Sequence, residues 1–241
     1  MTLIPDTIGD PTCGPIVPFE HPFKKGGPFF SGPLGTPYES VRHAPEEIIA
    51  PPYVSIDIET TGLPWDWCQI LEVGAVIDDW KSPLYELPRF HCYVVHDRII
   101  GDPFALAMNH AILKRIADRK KPENREYNFF SPSETAHGLK RFIEANFADL
   151  PEDTKVVAAG KNYARFDDRF LNQLPGFDQV KMLHRSIDPG MLYWNPRTDK
   201  VPPDTKTCLT RAGLDTEVKH DAINDAFDVI RLIRTAVGIP A

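Results

Sequence analysis

Ser55-Ile-Asp-Ile-Glu-Thr-Thr-Gly-Leu63 is the stretch from which the rest of the chain can be read. Tyr53 to Ile58 alternates and carries β-branched residues, which predicts a strand. Asp57 and Glu59 are two positions apart, so they share one face of that strand, while Ile56 and Ile58 fill the other. Two carboxylates on one face repel each other and need either full exposure to water or bound cations. Thr60-Thr61-Gly62 then turns the chain. Alone, the D-x-E pair reads also as two solvated acids on an edge strand.

Working outward, Ile70 to Ile77 and Phe90 to Val95 predict two more strands, and their short connections suggest an antiparallel meander. Phe104, Leu106, Met108, Ile112, Leu113 and Ile116 have helical spacing, in a helix that ends in the basic run Lys114 to Lys121. Ser131-Pro132-Ser133-Glu134 reads as a capping box opening a helix through Phe147. Lys155 to Ala159 and Arg185 to Asp188 predict the fourth and fifth strands. Short helices over Phe166–Leu174 and Thr207–Ala212 follow, and His220 to Val237 forms the last helix, with Ile223, Ala226, Phe227, Ile230 and Ile233 on one face. The expectation is an α/β protein: a mixed five-stranded sheet flanked by helices around one core.

The 241-residue chain divides by composition near Ala50-Pro51-Pro52. Residues 1–52 hold 11 Pro and 6 Gly, against 13 Pro and 9 Gly in the remaining 189. We therefore expect an irregular Pro/Gly-rich N-terminal extension over 1–52 and one folded domain over 53–241. The extension also carries Phe19, Phe23, Phe29, Phe30 and Tyr38, which suits an extended belt on the domain or a docking element for a homodimer or another protein. Its charge of -3, from three basic and six acidic residues, excludes a nucleic-acid arm.

With 27 basic and 34 acidic residues the formal net charge is -7, the reverse of a protein that grips duplex DNA through a broad basic face. Any nucleic-acid contact must be local or pass through metal ions. Met1 to Asp6 lacks a basic segment or apolar run, and no stretch approaches the ~18–20 apolar residues of a membrane span. Cys13, Cys68, Cys92 and Cys208 are far apart with no CxxC pair, which argues against a zinc knuckle or a disulfide scaffold. The expected compartment is the cytoplasm, with no membrane association.

Two further acidic stretches matter. Asp167 follows the strand Val156–Ala159 and opens a helix, where an Asp also serves as a cap; Asp168 is its neighbour about 100° away on the helix. Asp225 lies beside the apolar stripe of the last helix, an expensive place for an unpaired charge, with His220 about a turn earlier and Asp221 as the nearby alternative. An isolated His there serves equally as a cap or surface residue.

Taken together, D-x-E-T-T-G-L, then A-R-F-D-D-R-F-L, then H-D-A-I-N-D-A resembles the DEDDh exonucleases, the family of the polymerase proofreading exonuclease, RNase T and oligoribonuclease. The resemblance spans roughly residues 53–237; Gln69 to Ala75 and Thr207 to Gly213 look like further family segments. It implies a ribonuclease H-like fold and a metal-dependent 3′-5′ exonuclease acting on the 3′ end of single-stranded DNA or RNA or on short oligonucleotides. It implies two divalent ions, Mg²⁺ or Mn²⁺, held by Asp57, Glu59, Asp167 and Asp225, with His220 as general base. Four carboxylates carry -4 and two ions +4, which would move the formal net charge from -7 to -3. It also implies that Thr60, Thr61, Gly62 and Leu63 hold the terminal nucleotide.

Arg165 is a candidate phosphate contact. Trp65 and Trp67 suit base stacking and core or rim packing equally; the basic run suits phosphate tracking or a solvated helix end; His110 reads as structural or surface. Two other readings compete. One is a different metal-dependent phosphohydrolase on the same fold. The other is a catalytically inactive nucleic-acid-binding or scaffold module whose extension docks a partner.

Overall fold

The structure, a computed structural model, describes residues 48–147, 155–216 and 221–240. Residues 1–47 and His220 lie outside these, so the belt or docking role of the extension and the placement of His220 are not described.

Three strands come first: β1 (Tyr53–Thr60), β2 (Ile70–Asp78) and β3 (Arg89–Val94). They pair as the antiparallel meander that their short connections require. The chain then forms α1 (Pro103–Met108), α2 (His110–Ala117), β4 (Phe129–Phe130), α3 (Pro132–Asn146) and β5 (Val156–Ala159). It ends with α4 (Asp167–Leu171), β6 (Met182–Ile187), α5 (Pro189–Leu192), α6 (Thr205–Ala212) and α7 (Ala222–Ala236). The sheet order is β4-β3-β2-β1-β5-β6, with β5 parallel to β1.

The expected five strands become six. Strand β4 is two residues long, too short to carry a periodic signal, and is made by its parallel pairing with β3. The single helix read across Phe104–Ile116 is two. Asn109 breaks it, and its side chain donates to the Thr60 carbonyl (2.9 Å), which fixes the break against β1. The capping box is present: the Ser131 hydroxyl accepts the Glu134 N–H and the Glu134 carboxylate accepts the Ser131 N–H.

Helix α7 covers one face of the sheet with Ala226, Val229, Ile230 and Ile233, all buried. Helices α3 and α4 cover the other face, packing Ala136, Leu139, Ile143, Phe170 and Leu171 on Ile56 and Ile58. Each such aliphatic or aromatic side chain contributes about 1.5–3 kcal/mol on burial. A polar lock ties α7 to the sheet. The Arg234 guanidinium pairs with Asp78 (Nε–Oδ2 3.1 Å), and the Tyr53 hydroxyl donates to the same carboxylate (2.9 Å). Among the described residues, no helix is long and apolar enough to cross a membrane.

Candidate functional site

Strand β1 runs past the end of β5. Their pairing stops at Ser55↔Ala159, while β1 continues to Thr60. Beyond that point the β5 side of β1 is taken by the start of α4. The Asp167 carboxylate accepts the Ile58 N–H and its own backbone N–H, so it fills a place that a strand would otherwise take. Asp167 is buried and faces β1, whereas Asp168 is half-buried.

On the other face, Asp57 and Glu59 project toward the start of α7. Helix α7 comes this close because β2 has Gly74 beneath it. A Cβ there would lie 2.4 Å from the Ala222 carbonyl carbon. Asp221 caps the helix, accepting from Ile223 N and Asn224 N, and so is used in starting α7. Asp225, one turn on, joins Asp57 and Glu59: one oxygen from each lies within 4.8 Å of the others. Asp167 stands outside that group of three.

Burial and this crowding raise the pKa of Asp57, Glu59 and Asp167. Burial, then the charges of Asp167, Asp225, Glu59 and Glu72, raises Asp57 well above the usual carboxylate range. Burial, then Asp225 and Glu72, pushes Glu59 up to about 7, while a hydrogen bond from Asn109 opposes the shift. Burial raises Asp167 as well. Half-buried carboxylates crowded together in this way are a hard-oxygen donor set suited to Mg²⁺ or Mn²⁺. The residues present therefore fit the divalent ions that the family resemblance implies.

The three-acid group lies between two cavities of different character. Glu59 borders a cavity of about 510 Å³ walled by Ile58, Leu63, Trp67, Phe104, Met108 and Phe166. Leu63 is 79% exposed at its rim. Asp57 and Asp225 border a polar cavity of about 560 Å³ with Lys161, Thr205, Lys206 and Thr216.

The turn after β1 is built tightly. A Cβ on Gly62 would come 2.6 Å from Cys68 Sγ, so only glycine fits. The hydroxyls of the two threonines expected to hold the terminal nucleotide have backbone partners. Thr60 donates to the Gly62 carbonyl, and Thr61, fully buried, donates to the Ile100 carbonyl and accepts the Gln69 N–H. Gly62 and Leu63 remain as the part of the turn that lines the apolar cavity with Thr60.

Trp67 lines that cavity, while Trp65 lies 6.0 Å from the Arg169 guanidinium. Arg165 is exposed. In the basic run, Arg115 bonds the Tyr93 hydroxyl and lies over Tyr127, and Lys121 pairs with Asp118. His110 is exposed at the start of α2.

The sequence reading passed over three residues here: Asn109, which holds Glu59 and Thr60, and the pair Glu72 and His91. Glu72 faces Glu59 across the β1–β2 ladder and bonds His91 Nε2 at 2.5 Å. A polar residue in an apolar run was the available signal at Glu72; at Asn109 the apolar spacing continues and gives none.

No family model and no curated protein matches the chain. Solved structures do. The zinc-bound E. coli exonuclease I–single-stranded DNA complex aligns with 16% identity and a TM-score of 0.50, covering 77% of this chain and 41% of that one. E. coli exonuclease I with a dA16 oligonucleotide aligns with 17% identity and a TM-score of 0.50, covering 78% and 41%. A further exonuclease I structure, described as suggesting how processivity is achieved, gives 16% and 0.50, covering 77% and 41%. The chain thus spans less than half the length of these proteins. At such identities the likeness is one of fold: this is the ribonuclease H-like α/β architecture.

Proposed function

We propose that the domain is a metal-dependent 3′-5′ exonuclease of the DEDDh type, acting on the 3′ end of single-stranded nucleic acid or short oligonucleotides. The observation that carries this reading is the convergence of Asp57, Glu59 and Asp225 within 4.8 Å beside an apolar cavity of about 510 Å³. Its support is the donor chemistry, the spacing of the sequence motifs and the exonuclease-like fold.

In this reading Asp57, Glu59 and Asp225, with Asp167 behind them, hold two Mg²⁺ or Mn²⁺ ions. When bound, the ions supply positive charge against the phosphate and make a water more acidic. The remaining work falls to the chain. Leu63, Trp67, Met108 and Phe166 offer apolar surface to the terminal base, and stacking of that kind requires an unpaired strand. Asn109 holds the Glu59 carboxylate in place at the cavity edge. Arg165 meets a phosphate. His220, in the segment leading into α7, takes the proton from the attacking water. The water oxygen bonds to phosphorus, the bond from phosphorus to the 3′ oxygen of the preceding nucleotide breaks, and that oxygen takes a proton from solvent and leaves as a new 3′-OH. The product is a nucleoside 5′-monophosphate. The Pro/Gly-rich residues 1–52 serve as a docking element for a second copy or another protein, and the protein works in the cytoplasm.

The test is incubation of 5′-labelled single-stranded DNA, RNA and dinucleotides with Mg²⁺ or Mn²⁺, beside the Asp57→Ala variant. Metal-dependent shortening from the 3′ end by the wild type alone supports the reading. No shortening of any substrate overturns it and favours the inactive binding module.

A further inference from the structure

We propose that Glu72, held by His91, is a positioning residue of the acidic centre, its buried charge raising the affinity of the Asp57, Glu59 and Asp225 group for a divalent cation. The inference rests on that group being a cation site.

Glu72 is opposite Glu59 in the β1–β2 ladder, and Gly74, two residues on, is opposite both Asp57 and His91. All of them share the face beneath the start of α7. Glu72 is 1% exposed. Its neighbours Ile70, Leu71, Val73, Ala75, Val76 and Ile77 are buried and apolar, as a central strand covered on both faces demands. The other acid in β2, Asp78, is neutralised by Arg234. Glu72 has no such guanidinium. Among the described residues its one ion-pair partner is His91. Arg115, which feels the Glu72 charge, is occupied by the Tyr93 hydroxyl and lies over the Tyr93 and Tyr127 rings.

His91 is fixed in turn, its ring edge-on to Tyr93 with centroids 5.1 Å apart. With a proton on Nε2, the imidazole donates to the Glu72 carboxylate. From α7, Asp221 faces this region and adds further negative charge.

For packing alone this arrangement is a poor solution. An apolar side chain at position 72 would avoid both the desolvation of a charge and its repulsion of Asp57 and Glu59. That repulsion becomes attraction once a cation sits among the neighbouring carboxylates. Glu72 is not within the group of three that could ligate an ion, so it acts through space.

The experiment is Mn²⁺ titration of chelator-stripped full-length protein, with free Mn²⁺ read by electron paramagnetic resonance, beside thermal melts in EDTA. The variants are Glu72→Gln, His91→Lys and Asp57→Asn. Glu72→Gln keeps the shape and the bond to His91 but removes the charge. It is expected to weaken Mn²⁺ binding roughly tenfold, the scale of an outer-shell loss, with an EDTA melting temperature equal to or above wild type. His91→Lys places a fixed cation against Glu72 and is expected to weaken binding in the same sense without altering position 72. Unchanged Mn²⁺ affinity in both variants, or a lowered EDTA melt with unchanged affinity, makes the pair purely structural and overturns the inference. If the wild type binds no Mn²⁺, or Asp57→Asn binds as well as wild type, the cation-site reading itself fails first.

Discussion

Asp57→Asn should make the metal-free protein more stable. Any two of the three carboxylates of Asp57, Glu59 and Asp225 have oxygens no more than 4.8 Å apart. At an effective dielectric of about 20, two unit charges at that distance repel by about 3.5 kcal/mol. Burial and this repulsion both favour the neutral acids, and Asp57 and Glu59 are raised accordingly. Glu59, raised from 4.5 to about 7 by burial first and by Asp225 and Glu72 second, shows the size of the combined cost. A shift of that extent is worth about 3 kcal/mol at a pH where the group must ionise. An asparagine keeps the volume of Asp57 and removes its charge, so part of this penalty disappears. We expect a gain of about 2 kcal/mol, or about 4–8 °C in melting temperature for a domain of this size. The assay is thermal denaturation by circular dichroism at pH 8 in EDTA, repeated in millimolar Mn²⁺. In Mn²⁺ the order should change: the wild type gains stability and Asp57→Asn gains little. An Asp57→Asn protein equal to or less stable than wild type in EDTA at pH 8 would refute the electrostatic reasoning.

Three more outcomes are expected. The chelated wild type should lose stability as pH rises: the folded pKa of Glu59 is above its unfolded value, so its contribution is full below about pH 4.5 and lost through about pH 7, and melts between pH 5 and 8 check this. Arg234→Met should cost about 3–5 kcal/mol in urea unfolding, because it leaves Asp78 buried without its guanidinium. His220→Ala should lower kcat far more than substrate affinity in single-turnover kinetics, and an unchanged kcat removes His220 from the reaction.

Much of this architecture was legible in the chain. Strand β1 with its two same-face acids, the capping box at Ser131 and the apolar stripe of α7 are local patterns, and the structure has them where the periodicity places them. What was not legible depends on partners distant in sequence. Strand β4 exists only by pairing with β3. The α1–α2 break exists because Asn109 reaches Thr60, 49 residues away, although the apolar spacing continues across it. Glu72 looked like one polar residue in an apolar run until the β1–β2 register set it opposite Glu59. The threonines after the D-x-E pair carry hydroxyls suited to a ligand, and each donates to a backbone carbonyl, Thr60 to Gly62 within the turn and Thr61 to Ile100 beyond it.

The central claim is that the acids around Asp57 cut a strand from its 3′ end. The most direct measurement uses one single-stranded sequence in two forms, linear with a 5′ label and closed into a circle, each incubated with Mn²⁺ and wild type or Asp57→Asn. The account predicts a ladder of products shortened one nucleotide at a time from the linear strand, release of nucleoside 5′-monophosphates, an intact circle, and no reaction with the variant. Cleavage of the circle, or a linear strand left whole by the wild type, would contradict it.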